Sequence, residues 1–170
     1  MQFQATAAEI KKAQTPHNLF ISGLFLFDLF MTPAVIGMKI GMAGLLIPLV
    51  CSGSLIAFIY LRSRKATSWF VDAHWKLAFA RARVLMLGYA ITAALIFIAW
   101  LVSGASKDPN MAHILWTALT RIALMPTLIV VMITAVLEFS ASAQAAKREV
   151  PDKIAANFPP PAQQSQDNAD

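Results

Sequence analysis

Residues 84–102 read VLMLGYAITAALIFIAWLV, a run that contains no charged side chain. A helix rises about 1.5 Å per residue, so about 20 such residues cross a hydrocarbon core about 30 Å thick. The run therefore predicts a transmembrane helix. Three further runs are similarly apolar and predict three more spans, 18–37, 40–61 and 114–137, of which the first contains Asp28 and the last contains Arg121.

The pattern within these four runs favours helices that are surrounded by lipid. None of them alternates apolar and polar residues over the length of a strand, as a transmembrane barrel requires. None carries the polar stripe of a helix in a soluble bundle. We therefore predict an all-α membrane protein, a bundle of four transmembrane helices that form two helical hairpins over 18–61 and 84–137.

The composition of the 170-residue chain favours a membrane protein over a soluble enzyme. Hydrophobic residues make up 58% and charged residues 14% of the chain, whereas soluble domains carry about 25% charged residues. Cys51 is the single cysteine. It excludes an internal disulfide framework and every metal centre that needs several cysteines.

The basic residues predict how the chain is oriented. The 14 Lys and Arg residues outnumber the 9 Asp and Glu residues, which gives a formal net charge of +5, and most of the basic residues lie in the tail 1–17, the loop 62–83 and the tail 138–170. The loops within the two hairpins carry Lys39 and Lys107. Because loops rich in Lys and Arg stay in the cytoplasm, we expect both termini and the loop 62–83 to be cytoplasmic, in a bacterial inner membrane.

The loop 62–83 has a predicted structure and predicted partners. A helix that begins at Trp69, capped by Ser68, extends the third span into the headgroup layer. Anionic lipid headgroups are the expected partners, at about 1 kcal/mol for each basic residue, and an acidic protein is the alternative. A position beside the membrane argues against nucleic acid as a partner. The basic residues are Arg62, Arg64, Lys65, Lys76, Arg81 and Arg83.

The C-terminal segment 138–170 is rich in proline and glutamine. It contains PPP at 159–161 and QQSQ at 163–166. Such sequences bury too little apolar surface to offset the entropy of ordering the chain. We therefore expect a disordered cytoplasmic tail.

Asp28 and Arg121 are the ionisable residues furthest from any predicted interface. Each costs about 2.5–3.5 kcal/mol at the centre of a membrane helix, so neither is expected to face lipid. Counting along the spans places their backbones about 5 Å apart in depth, which permits an intramembrane charge pair. Three alternatives stay open: this pair, separate partners such as Thr32 or Thr134 for Asp28, and a role in moving a proton or an ion.

No sequence motif predicts a cofactor or a catalytic centre. His17, His74 and His113 do not share one depth within the spans, which argues against a haem held between two of them. One group near the predicted outer surface would suit copper(I), although methionine is equally a packing residue; it comprises Met38, Met42, Met111 and His113. We expect no cofactor, no metal and no enzymatic activity.

Small residues at helical spacing predict contacts between helices. Gly37 and Gly41 are four residues apart, as are Ala90 and Ala94, and this spacing lets two backbones approach closely. By elimination and by class analogy, we expect a non-catalytic accessory subunit or assembly factor of a larger inner-membrane complex; a homo-oligomer would use the same contacts. The alternatives are a small proton- or ion-coupled transporter that uses the intramembrane charge pair, and an electron-transfer subunit that contacts quinone or haem.

Overall fold

The computed structural model describes residues 2–38, 42–65 and 67–161. Apart from one isolated bridge between Gln2 and Glu149, the regular structure of these residues is helical. The elements are α1 (Ala7–Gly23), a π-helical segment (Leu24–Met31), α2 (Thr32–Gly37), a 3-10 turn (Met42–Leu45), α3 (Leu46–Ser63), α4 (Trp69–Gly104), α5 (Pro109–Ala123), α6 (Met125–Ala146) and α7 (Asp152–Asn157).

Four helical stretches in the described part of the chain are long and apolar enough to cross a membrane, which confirms the prediction of four apolar spans. Many large apolar side chains on them face outward; Phe30, for example, is 76% exposed. Such a surface is unfavourable in water and favourable in lipid. The stretches are Ala7–Gly37, Ala43–Ser63, Trp69–Gly104 and Pro109–Ala146.

The helices continue beyond the predicted apolar spans. The first begins at Ala7, where the Thr6 backbone N–H donates to Glu9 Oε2 at 2.9 Å and the Glu9 backbone N–H donates to Thr6 Oγ1 at 3.3 Å. This reciprocal capping box satisfies two backbone donors at the helix start. The third begins at Trp69, as predicted, and its first turns are buried, with Phe70 only 1% exposed. Polar residues on these extensions are therefore held on regular helices.

The chain divides into two compact units, which are described separately. The first unit comprises Met1–Ala82 and Ala135–Asp170. In it, α1 and the π-helical segment pack against α3. Phe20, Leu24 and Ile59, which lie on these elements, are 1% exposed or less.

The second unit comprises Arg83–Thr134. A Cβ atom added to Gly88 on α4 would lie 3.1 Å from Val130 Cβ on α6, so the two helices are in close contact there. One turn further along α4, the hydroxyl oxygen of Thr92 lies 2.8 Å from that of Thr127. Close backbone packing combined with a hydrogen bond between hydroxyls is a common way for helices to associate inside a membrane.

The π-helical segment Leu24–Met31 contains Asp28. The segment ends at Thr32, whose backbone N–H donates to the carbonyl of Phe27, five residues earlier, and whose Oγ1 donates to the same oxygen at 3.1 Å. Pro33 follows. Because its ring has no N–H and crowds the carbonyl four residues before it, a wider turn at this point relieves the crowding. Turns of this kind are frequent at functional sites, which makes Asp28 a candidate functional residue.

The C-terminal segment has regular structure as far as Asn157, whereas the sequence analysis predicts disorder over 138–170. Helix α6 continues to Ala146 and α7 follows a short connection. The rings of Phe158 and Trp69 stack with their centroids 6.1 Å apart, and Trp69 Nε1 donates to the Phe158 carbonyl at 3.0 Å. Residues 162–170 lie outside the described part of the chain.

The N-terminal segment packs at the same place. The ring centroid of Phe3 lies 4.6 Å from that of Trp69, and the Phe3 backbone N–H donates to the carbonyl of Arg148 at 2.9 Å. Val150 is 1% exposed. A few apolar anchors therefore order a tail whose overall composition is polar.

Candidate functional site: a buried histidine–glutamate cluster

Four ionisable side chains from three helices meet inside the first unit. His17 lies on α1, His74 and Arg81 lie on α4, and Glu138 lies on α6. His17, His74 and Glu138 are 0% exposed, and the side chain of Arg81 is 14% exposed. These four residues are referred to below as the histidine–glutamate cluster.

Glu138 and His17 make the shortest contact in the cluster. Glu138 Oε2 lies 2.6 Å from His17 Nδ1. This length is slightly below the range of about 2.7–2.9 Å that is usual for a charge-assisted bond from an N–H to a carboxylate. A buried carboxylate is costly unless it is hydrogen-bonded, and Glu138 can accept this bond when His17 Nδ1 carries a hydrogen.

The second nitrogen of His17 contacts His74. His17 Nε2 lies 2.9 Å from His74 Nδ1, and the two rings meet edge to face with their centroids 5.1 Å apart. One of these nitrogens must donate and the other must accept. His74 Nε2 is buried and makes no hydrogen bond of normal geometry with the described residues, although the backbone of Glu149 faces His74.

Arg81 supplies the positive charge of the cluster. Its Nη1 atom lies 3.5 Å from Glu138 Oε1 and also donates to the backbone carbonyl of Leu137. Arg81 follows His74 by two helical turns, so both side chains project from one face of α4. With both imidazoles neutral, Arg81 and Glu138 balance, and the cluster carries no net charge.

The side chains of the cluster form a continuous series of hydrogen bonds that can hold protons. Donor and acceptor atoms are continuous from His74 through His17 to Glu138. No group of three or more His, Cys, Asp or Glu side chains in the described ranges is placed to hold a metal ion. Imidazole–metal bonds are about 2 Å long, so two opposite haem ligands lie about 4 Å apart. The direct contact between His17 and His74 does not fit that spacing.

The structure gives Asp28 a partner that the sequence analysis did not consider. Asp28 is half-buried and accepts a hydrogen bond at 3.1 Å from Ser52 Oγ on α3. Arg121 is exposed in the last turn of α5. The two residues belong to different units, and the charge pair between them stays a prediction.

The basic residues of 62–83 differ in their surroundings. The guanidinium of Arg62 lies 5.2 Å from the ring centroid of Trp75, and that of Arg64 lies 4.5 Å from the ring centroid of Tyr60. Such cation–π contacts hold the charged groups in place while part of each stays accessible.

The remaining basic residues of this segment differ in exposure and in the groups that they contact. Lys76 Nζ lies 3.0 Å from the ring centroid of Phe158, and Arg81 belongs to the cluster. Lys65 and Arg83 are exposed. Binding of anionic lipid by this segment stays a prediction, and Arg81 is occupied by Glu138.

The side chains considered for copper are divided between the two units. Met38 belongs to the first unit, and Met111 and His113 belong to the second. All three are exposed. The side chain of Met42 lies outside the described part of the structure.

Sequence analysis did not identify Glu138, although a signal for it exists. Six residues of α6 are buried at spacings of three or four: Val131, Thr134, Ala135, Glu138, Ala141 and Ala145. The same stripe can be read from the small and apolar residues of the sequence. A carboxylate within such a stripe predicts a buried partner on another helix.

The fold and the cluster define a multi-pass membrane protein with a buried polar contact among three helices. The chain matches no protein-family model, and no curated protein and no solved structure is significantly similar to it. Its function is therefore inferred from its own residues.

Proposed function

We propose that the chain is a non-catalytic subunit or assembly partner of a larger complex in a bacterial inner membrane. The outward position of small residues on the apolar helices supports this proposal. Ala90 and Ala94 are exposed one turn apart on α4, and Gly53 and Ala57 repeat this spacing on α3. A Cβ atom at Gly53 would meet nothing within 4 Å.

Outward small residues matter because lipid supplies little hydrophobic drive for helix association. Helices in a membrane associate through close packing and interhelical hydrogen bonds, and small residues permit the closest packing. Each of the two stripes, Ala90/Ala94 and Gly53/Ala57, can seat a helix of another chain. The predicted pair Gly37/Gly41 does not contribute to this proposal, because Gly41 lies outside the described residues.

Copurification tests this proposal. The full chain is isolated in a mild detergent together with its Ala94→Leu and Gly53→Leu variants, with Ala118→Leu as the matched control because Ala118 is also exposed on an apolar helix. We expect unrelated chains at fixed stoichiometry with the wild type and the control, and their loss with at least one of the other two variants. A wild-type chain that purifies alone would contradict the proposal.

A proton- or ion-coupled transporter is the second candidate, and the setting of Asp28 favours it. A carboxylate in a π-helical turn, bonded to Ser52 on a neighbouring helix, resembles the irregular helices found at transporter binding sites. Vesicles loaded with a pH-sensitive dye test this candidate. Proton uptake that is lost in Asp28→Asn and retained in Asp28→Glu would favour transport, whereas uptake that does not depend on Asp28 would exclude it.

A further inference from the structure

The histidine–glutamate cluster is used by neither of these roles. We propose that His17 and His74 form a binding site for one proton, and that a second proton can enter only if α1 separates from α4. The proposal depends on the geometry of the cluster and not on the proposed function.

The donor and acceptor positions define the state without an added proton. The Glu138 carboxylate accepts from His17 Nδ1, and His17 Nε2 accepts from His74 Nδ1. His74 Nε2 then carries a lone pair, buried and without a hydrogen-bond donor in the described structure. In this state the ring N–H groups of His74 and His17 both point along the series of hydrogen bonds toward Glu138.

One added proton reverses the direction of the hydrogen bond between the two imidazole rings. It binds at His74 Nε2, and the proton on His74 Nδ1 passes to His17 Nε2. His17 then carries two N–H groups, which donate to Glu138 and to His74, and the new N–H of His74 turns to the backbone of Glu149, which faces that ring. The two imidazoles hold three ring protons in place of two, so the proton count balances.

The surrounding charges permit one positive imidazole. Glu138 on α6 contacts the ring of His17 directly, while Arg81 on α4 lies beside the other carboxylate oxygen. The C-terminal segment presents a backbone group to the ring of His74, from Glu149. The Glu138 carboxylate therefore contacts one guanidinium and one imidazole, and the second imidazole contacts the first.

A second proton destroys the contact between the rings. His17 Nε2 and His74 Nδ1 would both carry hydrogen, and two donors cannot share the 2.9 Å that now separates these nitrogens. Two imidazolium ions and Arg81 would then share one buried carboxylate. The rings must separate, and α1 separates from α4 at this point.

The limit of one proton sets the direction of the pH dependence. In an unfolded chain both histidines bind a proton below about pH 6.5, whereas the folded pair binds one at most. The unfolded state then binds more protons, so stability falls with acidification. For each excess proton, the equilibrium constant of unfolding rises about tenfold for each pH unit.

Unfolding of the full-length chain in detergent, followed by tryptophan fluorescence from pH 7 to pH 5, tests the proposal. Trp69 and Trp75 lie on the same helix as His74 and are buried. We expect the wild type to show about one tenfold rise between pH 6 and pH 5 beyond that of His74→Gln, because glutamine can bond to His17 but cannot be protonated. His113→Gln, at an exposed histidine, should behave as the wild type. Identical pH profiles for the wild type and His74→Gln would overturn the proposal.

A measurement on the wild type covers the case in which His74→Gln does not fold. In protein labelled with ¹⁵N-histidine, a scalar coupling between His17 Nε2 and His74 Nδ1 reports the hydrogen bond between the rings. We expect the coupling at pH 7 and also in the folded protein at pH 5, because the state with one added proton keeps this hydrogen bond, with the proton on His17 Nε2. Absence of the coupling at pH 7 would overturn the proposal, as would its loss at pH 5 while α1 stays packed against α4, because a second proton would then enter without separation of the helices.

Discussion

Glu138 Oε2 lies 2.6 Å from His17 Nδ1, although 121 positions of sequence separate the two residues. His74 on α4 bonds to the opposite side of the same imidazole. A single buried ring therefore links α1, α4 and α6. Hydropathy alone predicts that these helix ends lie near one membrane–water interface. The cluster adds the side-chain contacts that join them.

Removal of the Glu138 carboxylate should destabilise the first unit. Glu138→Ala leaves Arg81 and His17 without their acceptor, and breaking one partner of a buried pair costs about 3–5 kcal/mol. Glu138→Gln keeps an acceptor oxygen and most of the volume, so we expect a smaller loss. Denaturant unfolding of the purified chain measures both free energies. Equal losses for the two variants would show that the acceptor oxygen is not what stabilises the site.

A larger side chain at position 88 should destabilise the second unit. A Cβ atom there would lie 3.1, 3.2 and 3.3 Å from three side-chain atoms of Val130, and overpacking of this kind costs about 1–3 kcal/mol. We expect a loss of this size for Gly88→Leu. Gly53→Leu is the matched control for the isolated chain, because the space around Gly53 is open. If both variants unfold at the same denaturant concentration, the close approach of α4 and α6 is wrong.

Loss of the Phe158 ring should loosen the C-terminal segment. Phe158→Ala removes the stack on Trp69 and the contact with Lys76, which together contribute about 1–2 kcal/mol. We expect faster trypsin cleavage at Lys153 and a red shift of tryptophan emission. Phe139→Ala, at a phenylalanine that is 54% exposed, is the control and should change neither signal. Unchanged cleavage in Phe158→Ala would contradict the packing of α7.

The spans could be predicted because burial in lipid depends on residues that are adjacent in sequence. The cluster could not be predicted in this way, because its residues come from three helices and because Glu138 directly follows an apolar run. Val150 and Phe158 order the C-terminal segment through contacts with residues that are distant in sequence. A prediction from composition misses these two apolar residues, because the polar residues between them dominate the average. Pro33 indicates an irregular helix from the sequence. The π-helical turn around Asp28, however, depends on the hydrogen bond from Thr32 to the carbonyl of Phe27.

We infer that four helices cross the membrane, so that Phe3 and Phe158, which both pack on Trp69 in the first turn of α4, lie on one face of it. Site-directed labelling with a membrane-impermeant maleimide on sealed vesicles tests it most directly. In a Cys51→Ser background, single cysteines are placed by Gln4→Cys, Lys107→Cys and Asn157→Cys, all at exposed positions. We expect positions 4 and 157 to react from one face of the membrane and position 107 from the other. Labelling of positions 4 and 157 from opposite faces would contradict it.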